Sequence, residues 1–176
     1  MKNLYQVTIF TFPVFLIFLN CSSLKVIKEP VLERTTVISE PICFSFFTIC
    51  RESAFNSLVI KAVVSNESGE RKYSLEYYLK RFEVEFPLGV SLGIDGEYYN
   101  LKRVSTEYSD YIKIGSELSL EVIEKILNSK KIILSYSNRV ETMNIDFSNS
   151  DREKFIQNIK KVQENIQKTE KLTIIK

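Results

Sequence analysis

The sequence predicts an α+β fold: a mainly antiparallel β-sheet of about seven strands, with two late helices packed on it. Three observations predict it. Between Ser57 and Ser116 apolar residues recur with a period of two, in runs separated by turn residues. After Ser119, and again after Ser150, the period lengthens to that of an amphipathic helix. Strand and helix never alternate regularly, as a parallel sheet with crossover helices would require. A chain of 176 residues, 44% hydrophobic and 26% charged, is enough for one domain with a real core and short extensions.

The elements follow in order. Ser57–Ser65, SLVIKAVVS, is apolar and β-branched and reads as a strand. Asn66–Gly69 supplies a turn, and Arg71–Lys80 then alternates, which puts Tyr73, Leu75, Tyr77 and Leu79 on one face. FEVEF alternates again, Phe82, Val84 and Phe86 lying opposite Glu83 and Glu85, until Pro87 ends the run. Asp95-Gly96 sits between two alternating runs and provides the positive φ angles of a type I′ hairpin turn. A polar stretch, Ser105–Ser109, precedes a weaker strand in DYIKIGS. Ser119 can cap a helix, LEVIEKILNSK, with Leu120, Ile123, Ile126 and Leu127 on one side. KIILSYS and VETMNIDF read as two more strands joined around Asn138. Ser150 and Glu153 match a capping box, opening a helix with Phe155, Ile159, Val162 and Ile166 at helical spacing. The end, TEKLTIIK, reads as either a frayed tail or an edge strand.

Absences narrow the chemistry. With no histidine, imidazole-based triads and histidine-ligated zinc are excluded. None of the five glycines forms a phosphate-binding loop, and no calcium-loop pattern occurs. The net charge of +2 comes from 24 basic and 22 acidic residues, interspersed, so no basic field points to nucleic acid. No cofactor and no metal site is expected. Glu83 with Glu85 and Asp95 with Glu97 are the carboxylate pairs that general acid and base chemistry could use. The same residues also fit the solvent side of a strand and a turn.

The first twenty residues have another purpose. Met1-Lys2 begins a short positive region, and Val7–Leu19 is apolar apart from Thr8 and Thr11 and is interrupted by Pro13. That length suits an export signal better than a membrane span, which needs about 20 apolar residues. Cys21 follows at once, and Ser22-Ser23 begins a polar segment. This order resembles the lipobox of bacterial lipoproteins. Phe18, Leu19 and Asn20 depart from its strict form, and Asn before the cysteine is similar to the relaxed spirochaete-like version. The resemblance covers residues 1 to about 25. It implies cleavage before Cys21, acylation of that cysteine with fatty chains such as palmitate, and membrane anchoring. The pattern from about Tyr73 to Ile159 also resembles small bacterial envelope proteins of uncharacterised function, and implies a fold without functional residues.

The resulting organisation is a signal peptide at 1–20, a lipid-anchored tether at 21–34 and a single α+β domain at 35–176. Cys43 and Cys50 bracket an apolar segment. They are either a disulfide, natural in an oxidising compartment, or two thiols on one strand, about 23 Å apart at about 3.3 Å per residue. The chain has 12 Phe and 9 Tyr. Tyr78, Tyr98 and Tyr99, if gathered on an exposed sheet face, would form an aromatic platform for a protein or glycan partner; otherwise they are cross-strand packing. The expected function is a membrane-anchored lipoprotein of the cell envelope acting as a non-catalytic binding or scaffolding module. The alternatives are an envelope hydrolase using paired carboxylates on glycan or lipid, and a surface adhesin.

Overall fold

The computed structural model describes residues 24–44, 50, 56–80 and 86–174. Its class is the expected one, α+β with mainly antiparallel sheet and two helices late in the chain. Among the described residues the strands form two sheets, one of seven strands and one of four.

The larger sheet is centred on β4 (Ser57–Ser65) and β5 (Arg71–Lys80), the expected hairpin, whose turn closes with Gly69 at φ 69°. Its pairing sets Leu58 opposite Tyr77, Ile60 opposite Leu75 and Ala62 opposite Tyr73. One face of the pair is thereby uniformly apolar. On one flank β5 pairs with β9 (Tyr111–Glu117), which pairs with the edge strand β8 (Arg103–Tyr108). β8 takes in all but the last residue of the Ser105–Ser109 stretch read as merely polar. An edge strand needs backbone pairing more than buried side chains, so its composition hides it. Gly115 is fixed by this pairing, because a β-carbon there would stand 2.4 Å from Ser105 Oγ.

On the other flank β4 pairs with β2 (Arg34–Ile38) along one half and with β3 (Ile42–Cys43) along the other. Pro41 has no N–H to give a ladder, and the two strands part there. Ser39 bridges the break, its N–H donating to Ile60 O and its hydroxyl accepting from Ile60 N. β2 in turn pairs with β1 (Lys25–Glu29) through a 3₁₀ turn at Pro30–Leu32. The residues read as a tether at 21–34 therefore include an edge strand. The short KVIKE run shows no period strong enough to announce it, and its register comes from its partner.

The four-stranded sheet has the order β11, β10, β6, β7 (Thr142–Asp146, Ile132–Ser137, Gly89–Ile94, Glu97–Asn100). β6 and β7 are the Asp95-Gly96 hairpin, with φ of 50° and 96° at its two turn residues. Asn138 closes the β10–β11 turn by accepting from the N–H groups of Val140 and Glu141. The FEVEF run, apart from an exposed Phe86, lies outside the described residues.

Two helices complete the core. α1 (Leu120–Leu127) begins at Ser119, whose hydroxyl accepts from Val122 N. It buries Val122, Ile123 and Ile126, while Leu120, expected on that face, stands out of the first turn and is exposed. α2 (Asn149–Ile174) starts earlier than expected. Its capping pair is Ser148 and Asp151: the Ser148 hydroxyl accepts from Asp151 N, and the Asp151 carboxylate accepts from Ser148 N and its hydroxyl. Phe147 decides this frame. It packs against Phe44 and Phe155 and its N–H donates to Ile132 O, so Ser148 is the first residue free to cap. Phe155, Ile159, Val162 and Ile166 are buried as spaced, and the ambiguous end continues as helix to Ile174. The helices and the inner faces of both sheets form one continuous core, in which Tyr77 meets Tyr136 with ring centroids 6.3 Å apart.

Candidate functional site

Cys43 and Cys50 are joined in a disulfide with Cα atoms 5.6 Å apart. That separation excludes the single-strand alternative, which would hold the two cysteines about 23 Å apart. β3 holds Cys43 through its ladder with Ser57, and Asn158 on α2 braces the segment just before it by donating to Glu40 O. Lys161 adds an ion pair to Glu40 at 3.3 Å. Cys21, the remaining cysteine of three, lies outside the described residues.

Tyr78, Tyr98 and Tyr99 are not brought together. Tyr78 belongs to the larger sheet, where it is buried in a small cluster with Ile38 and Val59 and packs its ring at a tilt against Tyr111, centroids 5.4 Å apart. Tyr98 and Tyr99 belong to the smaller sheet, and as consecutive strand residues they take opposite faces. Tyr98 is exposed and covers the side-chain-free Gly93, while Tyr99 packs against the core. The aromatic platform is thus replaced by cross-strand packing in two separate sheets. Sequence order made the strands look adjacent, and the division into sheets separated them.

The hydroxyl of Tyr78 donates to Glu76 Oε2 at 3.1 Å, on the face of the larger sheet away from the main core. Glu76 is buried there between Lys61 at 3.3 Å and Lys113 at 4.0 Å, and Lys113 also meets Glu107 at 2.7 Å. Burial works against the charge on Lys113, but the Glu107 hydrogen bond and the Glu76 and Glu107 carboxylates outweigh it and raise its pKa. The cluster satisfies its own charges, as a structural network must where solvent is scarce.

The Asp95 and Glu97 carboxylates have structural employment. Asp95 accepts from Lys130 N at 2.9 Å and Lys131 N at 2.7 Å, tying the β6–β7 turn to the start of β10. Glu97 accepts from Tyr99 and pairs with Lys125; both partners favour its ionised form and lower its pKa. A general acid needs the opposite shift. Glu83 and Glu85 lie outside the described residues.

Two of the surface clefts are lined by described residues. The larger, about 570 Å³, runs between one end of the larger sheet and the start of α1. Two ion pairs lie along it, Lys72 with Glu70 and Lys102 with Glu117, together with Arg71. The smaller, about 380 Å³, lies between the β6–β7 turn and α1, with Asp95, Glu97, Glu121 and Glu124 along it. Among the described residues no group of His, Cys, Asp or Glu is arranged to hold a metal ion, and no helix is long and apolar enough to cross a membrane.

The N-terminal edge is what sequence reading passed over. Val31 and Leu32, in the turn after β1, are 94% and 58% exposed, and Val26 and Ile27 on β1 are about half exposed. Two adjacent apolar residues where turns favour Gly, Asn, Asp or Ser were the available signal. No family model, curated protein or solved structure matches this chain.

Proposed function

We propose that this protein is exported, acylated at Cys21 and held on a membrane of the cell envelope, where its α+β domain serves as a non-catalytic binding or scaffolding module. One observation carries the reading: of three cysteines, two are joined in a disulfide within the domain, and the third stands directly after the apolar signal-like run. Disulfides persist in oxidising compartments, which supports a domain that works outside the cytosol. A cysteine outside that pair is free to carry lipid. One acyl chain gives only marginal membrane binding, whereas two make a stable anchor, so the glyceryl-linked pair of a lipoprotein would hold the domain at the surface.

The binding role is supported by the employment of the charged groups. Asp95, Glu97 and Glu76 hold the fold together, while the larger cleft offers a mixed polar and apolar surface for contact with a protein or glycan. The test is the intact mass and detergent-phase partitioning of the native protein beside Cys21→Ala. A chain beginning at Cys21 with added acyl mass, lost in the variant together with partitioning, is the expected result. An unmodified chain in the aqueous phase would remove the reading. Protease treatment of intact cells then separates a surface adhesin from a protein facing the periplasm.

A further inference from the structure

We infer that the β1–β2 hairpin is a second membrane contact, laying Val26, Ile27, Val31 and Leu32 into the interface of the bilayer that carries the lipid on Cys21. The inference rests on the acylation proposed above. Its first support is reach. Cys21 and Lys25 are four peptide steps apart, at most about 14 Å when fully extended, so β1 cannot leave the neighbourhood of the headgroups. β1 is also the outermost strand of its sheet, so its free edge can approach a surface without displacing any described strand.

The turn is built to display apolar side chains rigidly. Pro30 fixes the start of the 3₁₀ turn, and Glu33, at φ 46°, closes it with its N–H donating to Pro30 O. The neighbouring β4–β5 turn pins it, since Asn66 N donates to Glu33 O and the Thr35 hydroxyl to the Asn66 side chain. Val31 is nevertheless 94% exposed. Charge agrees with a lipid surface: Lys25 and Lys28 are exposed on β1, Glu33 is exposed in the turn, and the adjoining Glu29 and Arg34 neutralise each other, which leaves a net charge of +1 over these five groups. The Arg34 guanidinium holds the Glu29 carboxyl below its ordinary pKa, keeping that pair ionised. Exposed lysine beside apolar side chains matches the boundary between anionic headgroups and acyl chains. A second copy of the chain fits less well. Pairing along β1 would extend over five residues and leave Val31, beyond the strand, in water.

The experiment uses the full, acylated protein carrying one added thiol, Val31→Cys, labelled with an environment-sensitive fluorophore. Cys43 and Cys50 are paired and Cys21 is acylated, so the new thiol is the one that reacts. Val31 is exposed, so the label replaces no packing. Vesicles of mixed zwitterionic and anionic phospholipid, with and without brominated acyl chains, provide the surface, and Glu124→Cys on the exposed side of α1 is the reference. The expected result is a blue shift and several-fold quenching by brominated lipid at position 31, with neither at position 124. A water-like, unquenched probe at 31 on a chain whose mass includes acyl groups would overturn the hairpin contact and leave the anchor standing. A chain without acyl mass that stays off the vesicles would remove both. A probe that is shielded but unquenched, on a chain that cross-links as a dimer, would overturn the membrane contact in favour of a second copy.

Discussion

The two β-hairpins of the larger sheet, β4–β5 and β1–β2, are both antiparallel and both carry apolar side chains, yet they treat those side chains in opposite ways. In the first, Leu58, Val59 and Ile60 are each no more than 1% exposed, so even consecutive residues on opposite faces are covered. In the second, Val26 and Ile27 are consecutive and both remain about half in water. The ladder is the same kind in each case, so backbone pairing does not decide burial. Position in the sheet does: a central strand has covered faces, and an edge strand has whatever comes to meet it.

That contrast can be broken or sharpened in four ways. Leu75→Ala at the centre removes a fully buried side chain and should cost about 2–5 kcal/mol, read as a lowered urea midpoint with an unchanged slope. Cys43→Ser with Cys50→Ser opens a short loop beside the same strands. Chain entropy for a loop of that length predicts a loss of about 2–3 kcal/mol, and reducing agent should lower the wild-type midpoint equally.

A third test uses Tyr136, which packs against Tyr77 in the core. Burial raises its pKa from 10.0 to about 12, because the ionised phenolate is poorly solvated there. The folded value lies above the unfolded one, so this contribution is whole below pH 10 and is lost as pH rises through about 12. Tyr136→Phe should therefore flatten the alkaline limb of stability against pH between 10 and 12, and at neutral pH should cost about 1 kcal/mol for the lost hydrogen bond with Asn138. The smallest effect belongs to the edge. Val31→Asp should alter unfolding free energy by no more than about 0.5 kcal/mol, since an exposed turn residue makes few contacts. A large loss there would mean that the turn is packed as the centre is.

Local chemistry made much of the fold legible. The Asn66–Gly69 and Asp95-Gly96 turns, the Ser119 cap and the spacing from Phe155 to Ile166 each rest on a few neighbouring residues, and each occurs where expected. The Ser148–Asp151 cap was displaced because two overlapping frames satisfy the same local rule, and only the packing of Phe147 chooses between them. The candidate site was less legible. Tyr78 and Tyr98 are twenty residues apart in neighbouring predicted strands, and nothing local says that those strands join different sheets.

The sequence by itself determined the class of fold, the central hairpins, the helical faces and the signal-like run ending at Cys21, because periodicity and turn chemistry act over short distances. Tertiary structure alone decided how the strands divide into two sheets, which tyrosines are buried, that Cys43 meets Cys50, and that Lys25–Glu29 form an edge strand followed by an exposed apolar turn. Each of those outcomes depends on which distant segment arrives as a neighbour, and a pattern of polar and apolar residues carries no record of its partner's address.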